Sequence, residues 1–132
     1  MAVNNYFQSS RNIVDERDRT ITLSRMKLDD AAARLEALGN PTRLKIYRAL
    51  VRAGEEGLPV GRLQDKLDVA ASTLSHHLKT LIGVGLVTQT REGTTLFCHT
   101  NYEMMRGLLE YLAEECCAEG TGCPPVRLPR VA

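Results

Sequence analysis

Val69-Ala70-Ala71-Ser72-Thr73-Leu74-Ser75-His76-His77-Leu78-Lys79-Thr80-Leu81 is the stretch around which the rest of the chain is organised. Leu74, Leu78 and Leu81 recur at i, i+4 and i+7, so they share one face of an α-helix. Ser72, Thr73, Ser75, His76, Lys79 and Thr80 fall on the other face, with no acidic and no large apolar residue among them. Hydroxyl, imidazole and ammonium groups donate to phosphate oxygens and to base edges. A small polar helix of this kind, preceded by another short helix, is what a recognition helix needs to enter a major groove. The same residues also describe an ordinary amphipathic helix with a solvated face, and the flanking chain decides between the two.

Upstream, Val60, Leu63 and Leu67 stand at i, i+3 and i+7 in a short helix, and Asp68 to Ala71 form the tight turn into the polar one. Before that, Asn40 is a good N-cap and Pro41 a good first residue for a helix running to about Ala53. It is expected to bury Leu44, Tyr47 in part, Leu50 and Val51, with Gly54 and Gly57 ending it. Leu28 to Leu38 reads as a first helix, capped by Asp29 or Asp30, with Ala31, Leu35 and Leu38 on one face. Downstream, Gly83 and Gly85 stop the polar helix and the period changes to two. Leu86 to Glu92 and Thr95 to Thr100 are strands joined at Gly93, a hairpin whose tip carries Arg91, Thr94 and Thr95 for DNA backbone or minor-groove contact. A last helix is expected from about Asn101 to Ala118, with Met105, Leu108, Leu109 and Leu112 as its apolar stripe.

The order predicts a mainly α fold with a small β-hairpin, a winged helix-turn-helix. Residues 1–27 mix four arginines with acids and show no periodicity, which predicts a flexible extension. Residues 28–118 form the expected domain, and 119–132, with two glycines and three prolines, a cysteine-containing loop and tail. The last helix's stripe would have little to bury against in so small a domain, which points to a homodimer.

At 132 residues the chain suits one domain with a modest core. No apolar run approaches the roughly 18 residues of a membrane span, and the polar N-terminus lacks a signal-peptide apolar region. A cytoplasmic protein with no membrane partner is expected. The net charge of +1 argues against a generic polyanion binder, but charge is unevenly placed. Lys79, Arg91 and Glu92 are the charges between Val69 and Thr100, whereas five glutamates stand against Arg106 alone from Asn101 to Glu119. That division suits a DNA reader whose far side faces away from phosphate. No acid/base pair, Ser-His-Asp set or Gly-rich phosphate loop is present, and the adjacent His76 and His77 cannot form an i, i+4 metal pair. A non-enzyme without a constitutive cofactor is expected.

Asn40-Pro41-Thr42-Arg43-Leu44-Lys45-Ile46 resembles the start of the second helix in ArsR/SmtB metalloregulators. Ser72 to Leu81 resembles their recognition-helix signature, and Gly85-Leu86-Val87 with Arg91-Glu92-Gly93 resembles their wing. The similarity covers roughly Leu28 to Ala118. It implies a homodimeric repressor of double-stranded operator DNA, with first and last helices at the dimer interface. Leu35, Leu108, Leu109 and Leu112 are the candidate interface residues. Ser72, Thr73, Ser75, His76, Lys79, Arg91 and Thr94 are the candidate DNA contacts.

The cysteines are Cys98, Cys116, Cys117 and Cys123, three of them within eight residues. At a fraying helix end Cys116 and Cys117 can turn toward one point, and Gly120 and Gly122 let the following loop bring Cys123 back. Three soft thiolates without a fourth ligand suit a trivalent thiophilic ion, arsenite or antimonite, better than zinc, which prefers four. The Cys-Cys-x5-Cys spacing resembles the arsenite site of one ArsR subgroup, whereas Val60 to Leu67, where another subgroup holds a Cys-x-Cys pair, has no cysteine. A thiol-redox or sulfide sensor bridging Cys123 to Cys116 or Cys117 remains an alternative, as do cysteines without a role. A winged-helix protein-interaction module without an operator is a third reading. Cys98 is expected in the core beside Leu96, and His77 as a packed, hydrogen-bonded histidine with His76 outward.

Overall fold

The computed structural model describes residues 26–122, and in it five helices surround a three-stranded antiparallel sheet. Helix α1 spans Leu28–Leu38. Its N-cap is Lys27, with extended backbone and no side-chain cap bond. This corrects the expected cap: Asp29 and Asp30 lie inside the first turn, where carboxylates favour the positive end of the helix dipole. The buried face is also rotated from the expected one. Ala31, Arg34 and Ala37 are buried, whereas Leu35 is 42% exposed. Arg34 can occupy this face because its Nε donates to the Val84 carbonyl at 3.0 Å, which offsets much of the cost of burying a guanidinium. Burial pulls its pKa down while nearby Asp30 pushes it back up.

Helix α2, Pro41–Ala53, starts as its sequence predicts. Asn40 Oδ1 accepts from the backbone N–H of Thr42 and of Arg43 at 3.0 and 3.1 Å, and Pro41 needs no partner for a nitrogen without a proton. Gly54 closes the helix with φ of 77°, a left-handed angle that a side chain would strain. Ile46, Tyr47, Ala49 and Leu50 are buried. Leu44, expected among them, is 42% exposed, because it stands about 200° around the helix from Ile46.

The two-residue strand β1, Leu58–Pro59, was not expected from the sequence. It pairs antiparallel with the wing, Leu58 opposite Cys98 and Pro59 opposite Phe97. Helix α3, Val60–Leu67, buries Leu63, and Asp68 turns the chain in the left-handed region at φ of 50°. Helix α4, Ala71–Gly83, buries Leu74, Leu78 and Leu81 as the heptad-like spacing requires. Strands β2, Val87–Glu92, and β3, Thr95–Thr100, form the hairpin, with Glu92 opposite Thr95 and Gly93 at φ of 63° in the two-residue turn. The sheet order is β1-β3-β2.

Helix α5 spans Tyr102–Ala113, capped by Asn101, whose Oδ1 accepts from Met104 N at 3.2 Å. It stops five residues short of the expected Ala118. Glu114 and Glu115 follow it, and carboxylates oppose the negative end of the helix dipole. Cys117 then takes a left-handed φ of 61°, which a helix cannot contain. Ile46, Leu50, Leu63, Leu74, Leu81, Leu86, Val87 and Cys98 form the fully buried centre beneath α4 and the sheet. Cys98 is thus a core residue, receiving a 3.4 Å bond from Gln89 Nε2 at its sulfur, and burial pushes its thiol pKa up. No helix among the described residues is long and apolar enough to cross a membrane.

Candidate nucleic-acid interface and thiol pair

Burying Leu74, Leu78 and Leu81 fixes which way the rest of α4 points. Ser72, Thr73, Ser75, His76 and Lys79 are all exposed on its outer side. Thr80 is half-buried and donates to the His76 carbonyl at 3.3 Å, a back-bond within the helix. The first turn has no side-chain cap at Ala70, so the early N–H groups of α4 lie without a competing internal acceptor from a cap. Helix α4 packs against β2, and Arg91 and Thr94 are exposed at the far end of the hairpin. Every candidate DNA residue therefore lies at the surface, on α4 or on the wing.

The wing is fixed at its base. His99 Nδ1 stands 3.1 Å from the Glu55 carbonyl and its Nε2 2.9 Å from Thr90 Oγ1, tying β3 to the loop after α2 and to β2. Gly57 leaves room for this: a Cβ there would run into the Cys98 carbonyl and the His99 ring. His77 is half-buried, with Nδ1 3.5 Å from Arg43 Nη1, in keeping with a packed histidine. Burial, then Arg43, then His76 lower its pKa.

The dimer candidates divide. Leu35, Leu109 and Leu112 are exposed, joined by Leu28, which the sequence reading did not single out. Leu108 is 5% exposed and belongs to the protomer's own packing. Helices α1 and α5 pack against each other, so the exposed leucines sit on adjoining elements.

Cys116 and Cys117 lie in turns beyond α5 rather than in the helix, with their sulfurs 3.7 Å apart. Two thiolates each about 2.3 Å from one soft ion, at angles of about 90–110°, would stand roughly 3.3–3.8 Å apart, so this pair has chelating geometry. Direct oxidation of the pair is disfavoured, since neighbouring Cα atoms lie about 3.8 Å apart and disulfides usually need at least about 4.4 Å. Among the described residues no three His, Cys, Asp or Glu side chains form a metal cluster. Cys123, the third expected ligand, lies outside the described residues.

A helix-turn-helix domain family matches residues 38–90. The ArsR protein of Halobacterium salinarum is 49% identical over 59 residues, a match that spans 45% of each chain. The arsenical resistance operon repressor of Bacillus subtilis is 34% identical over 84 residues, 64% of this chain and 76% of that protein. Among solved structures, HlyU of Vibrio cholerae is 34% identical with a TM-score of 0.53, over 66% of this chain and 97% of that one. A homodimeric winged helix-turn-helix DNA-binding domain from Mycobacterium bovis is 30% identical with the same TM-score of 0.53, over 67% and 82% of the two chains. With the recognition helix, the wing and these relatives in agreement, the chain belongs to the ArsR family of winged helix-turn-helix transcriptional regulators.

Proposed function

We propose that this chain is a dimeric repressor that binds operator DNA and is released when arsenite occupies Cys116, Cys117 and Cys123. The observation that carries the reading is the thiol pair, two sulfurs 3.7 Å apart beside the end of α5. Sulfur is the donor that a soft trivalent ion prefers, and Cys123, six positions after Cys117 in the sequence, would supply the third thiolate of a three-coordinate site. Antimonite has the same chemistry and would serve as well.

DNA is read by Ser72, Thr73, Ser75, His76 and Lys79 on α4, with Arg91 and Thr94 of the wing on the flanking backbone. Two recognition helices in one dimer would enter successive major grooves about 34–36 Å apart. Exposed Leu28 and Leu35 of α1, with Leu109 and Leu112 of α5, supply the apolar surface for pairing, and α5 is the helix that leads to the thiols. Ion binding beyond α5 thus acts on the element that adjoins the dimer face. Coupling of about 1–3 kcal/mol, or roughly 5- to 150-fold in DNA affinity, is the usual scale. The name of the Bacillus subtilis relative, a repressor of an arsenical resistance operon, supports the same reading.

The test is arsenite titration of the fully reduced protein bound to a duplex that it has selected from random-sequence DNA. Release with one ion per subunit is expected. Protein that stays bound under strict reductant, and leaves only when oxidised, would replace arsenite with thiol oxidation as the signal.

A further inference from the structure

One side chain links the recognition helix to both helices behind it. Arg43, the third residue of α2, donates from Nε to the Ala37 carbonyl in the last turn of α1 at 2.6 Å. Its Nη1 stands 3.5 Å from Nδ1 of His77 on α4. Its backbone N–H is held by Asn40 Oδ1 at 3.1 Å. The guanidinium is therefore anchored on α1 and α2 and directed at α4. Its place at the end of α1 is favourable in its own right, because a cation there meets the negative end of the helix dipole.

The chemistry of this contact has one allowed sense. A guanidinium carries donors and no acceptor. The Nδ1 facing it must present its lone pair, so the imidazole proton lies on Nε2. A second proton would put a positive ring against Arg43. The charged and titratable groups facing His77 are Arg43 from α2 and His76 from its own helix, whose ring centroid is 5.7 Å away, while α1 contributes the Ala37 carbonyl through Arg43. Partial burial, Arg43 and His76 each disfavour imidazolium.

We propose that Arg43 is a positioning residue for DNA recognition: it holds His77 as the neutral, Nε2-protonated tautomer and so keeps the seating of α4 on the helices behind it constant across the neutral pH range. The role rests on reading α4 as the DNA-contacting helix. Arg43 itself need touch no DNA, since it acts through the back of that helix.

The test uses the full chain with nitrogen-15-labelled histidine and two readouts. Long-range proton–nitrogen spectra report the tautomer and titration of His77. Binding to the duplex selected by the wild-type protein, followed against pH at fixed ionic strength, reports recognition. Wild-type His77 is expected as the Nε2–H tautomer. Arg43→Met, which keeps length and removes the donor, should mix the tautomers and raise the pH at which His77 takes up a proton. Its DNA affinity should gain a pH dependence on the order of three- to tenfold between neutral and mildly acidic solution, the scale of one hydrogen bond. Arg43→Lys, which keeps a cationic donor, should restore much of the wild-type behaviour. A wild-type His77 protonated on Nδ1 overturns the proposal, as does Arg43→Met with wild-type spectra and pH profile. Should Arg43→Met fail to fold, the wild-type tautomer and the Arg43→Lys profile still decide. Failure of the wild-type protein to select any duplex would count against the regulatory reading, and the imidazole spectra would then judge Arg43 alone.

Discussion

Replacing Leu112 with Glu tests the dimer face most directly. Leu28, Leu35, Leu109 and Leu112 are 71%, 42%, 36% and 56% exposed, about two whole leucine side chains of apolar surface per protomer. At about 1.5–3 kcal/mol for each leucine fully buried, covering this surface on both protomers contributes roughly 6–12 kcal/mol. Association costs about 4–15 kcal/mol in lost freedom, so pairing on this face is finely balanced. Leu112→Glu removes a little over half a leucine from each side, roughly 2–3 kcal/mol for the two. It also adds two carboxylates to a region that already holds Glu110, Glu114 and Glu115. The dimer dissociation constant should rise at least about 30-fold, read by sedimentation equilibrium, and operator affinity should fall with it. Leu44→Glu is the control, since Leu44 is also 42% exposed but lies on α2. Leu108 is a poor choice because it is buried within the protomer. A Leu112→Glu protein that pairs as tightly as wild type, or a Leu44→Glu protein that dissociates as readily, would refute the argument.

On the DNA side, Ser75→Ala or His76→Ala should weaken operator binding by about 1–3 kcal/mol if either reads a base edge, while Lys79→Ala should weaken all sequences alike and lower the salt slope by about one; gel shifts across a salt series measure both, and unchanged binding in all three moves the interface elsewhere. Cys116→Ser, Cys117→Ser and Cys123→Ser should each bind operator but release it poorly with arsenite, whereas Cys98→Ser, replacing a buried core thiol, should release normally; fluorescence anisotropy on reduced protein separates the four. Folding should also respond to pH through His77, which the folded protein holds below the ordinary histidine value of 6.5. Its stabilising contribution is then complete above about pH 6.5 and is lost as pH falls through the lower folded-state value, so the drop in urea midpoint from about pH 7.5 to about pH 5.5 should shrink in His77→Gln.

The recognition helix was legible because its leucine spacing and its turn residues agree with one another. Asn40-Pro41 was legible for a local reason, a capping side chain followed by a residue that needs no N–H partner. What the sequence concealed depends on tertiary partners. Periodicity placed Leu35 on the core side of α1 because leucine outranks arginine in any hydrophobic count, yet the Val84 carbonyl makes Arg34 the better fit inside. Strand β1 is two residues long and contains a proline, so its pairing with Cys98 and Phe97 leaves no alternating pattern to find. The end of α5 was overrun because alanine and glutamate read as good helix formers, while the dipole and the backbone at Cys117 end the helix at Ala113. Among the site residues, the outward face of α4 followed from helical spacing and the core place of Cys98 from strand parity. Arg43's reach to His77 did not, since 34 positions separate the two in sequence.

The short strand β1 has a further consequence for how the protein avoids its own kind. With order β1-β3-β2, the sheet has two open borders. One is closed off after two residues by Pro59, which has no N–H to offer a passing strand and which leads at once into α3. The other, β2, is exposed from Gln89 onward and ends in Arg91 and Glu92, a polar and charged border. Both are the devices by which sheets discourage edge-to-edge growth. Chains held close together are therefore not drawn into joining sheet to sheet. The hairpin thus keeps its exposed strand free of pairing with another sheet.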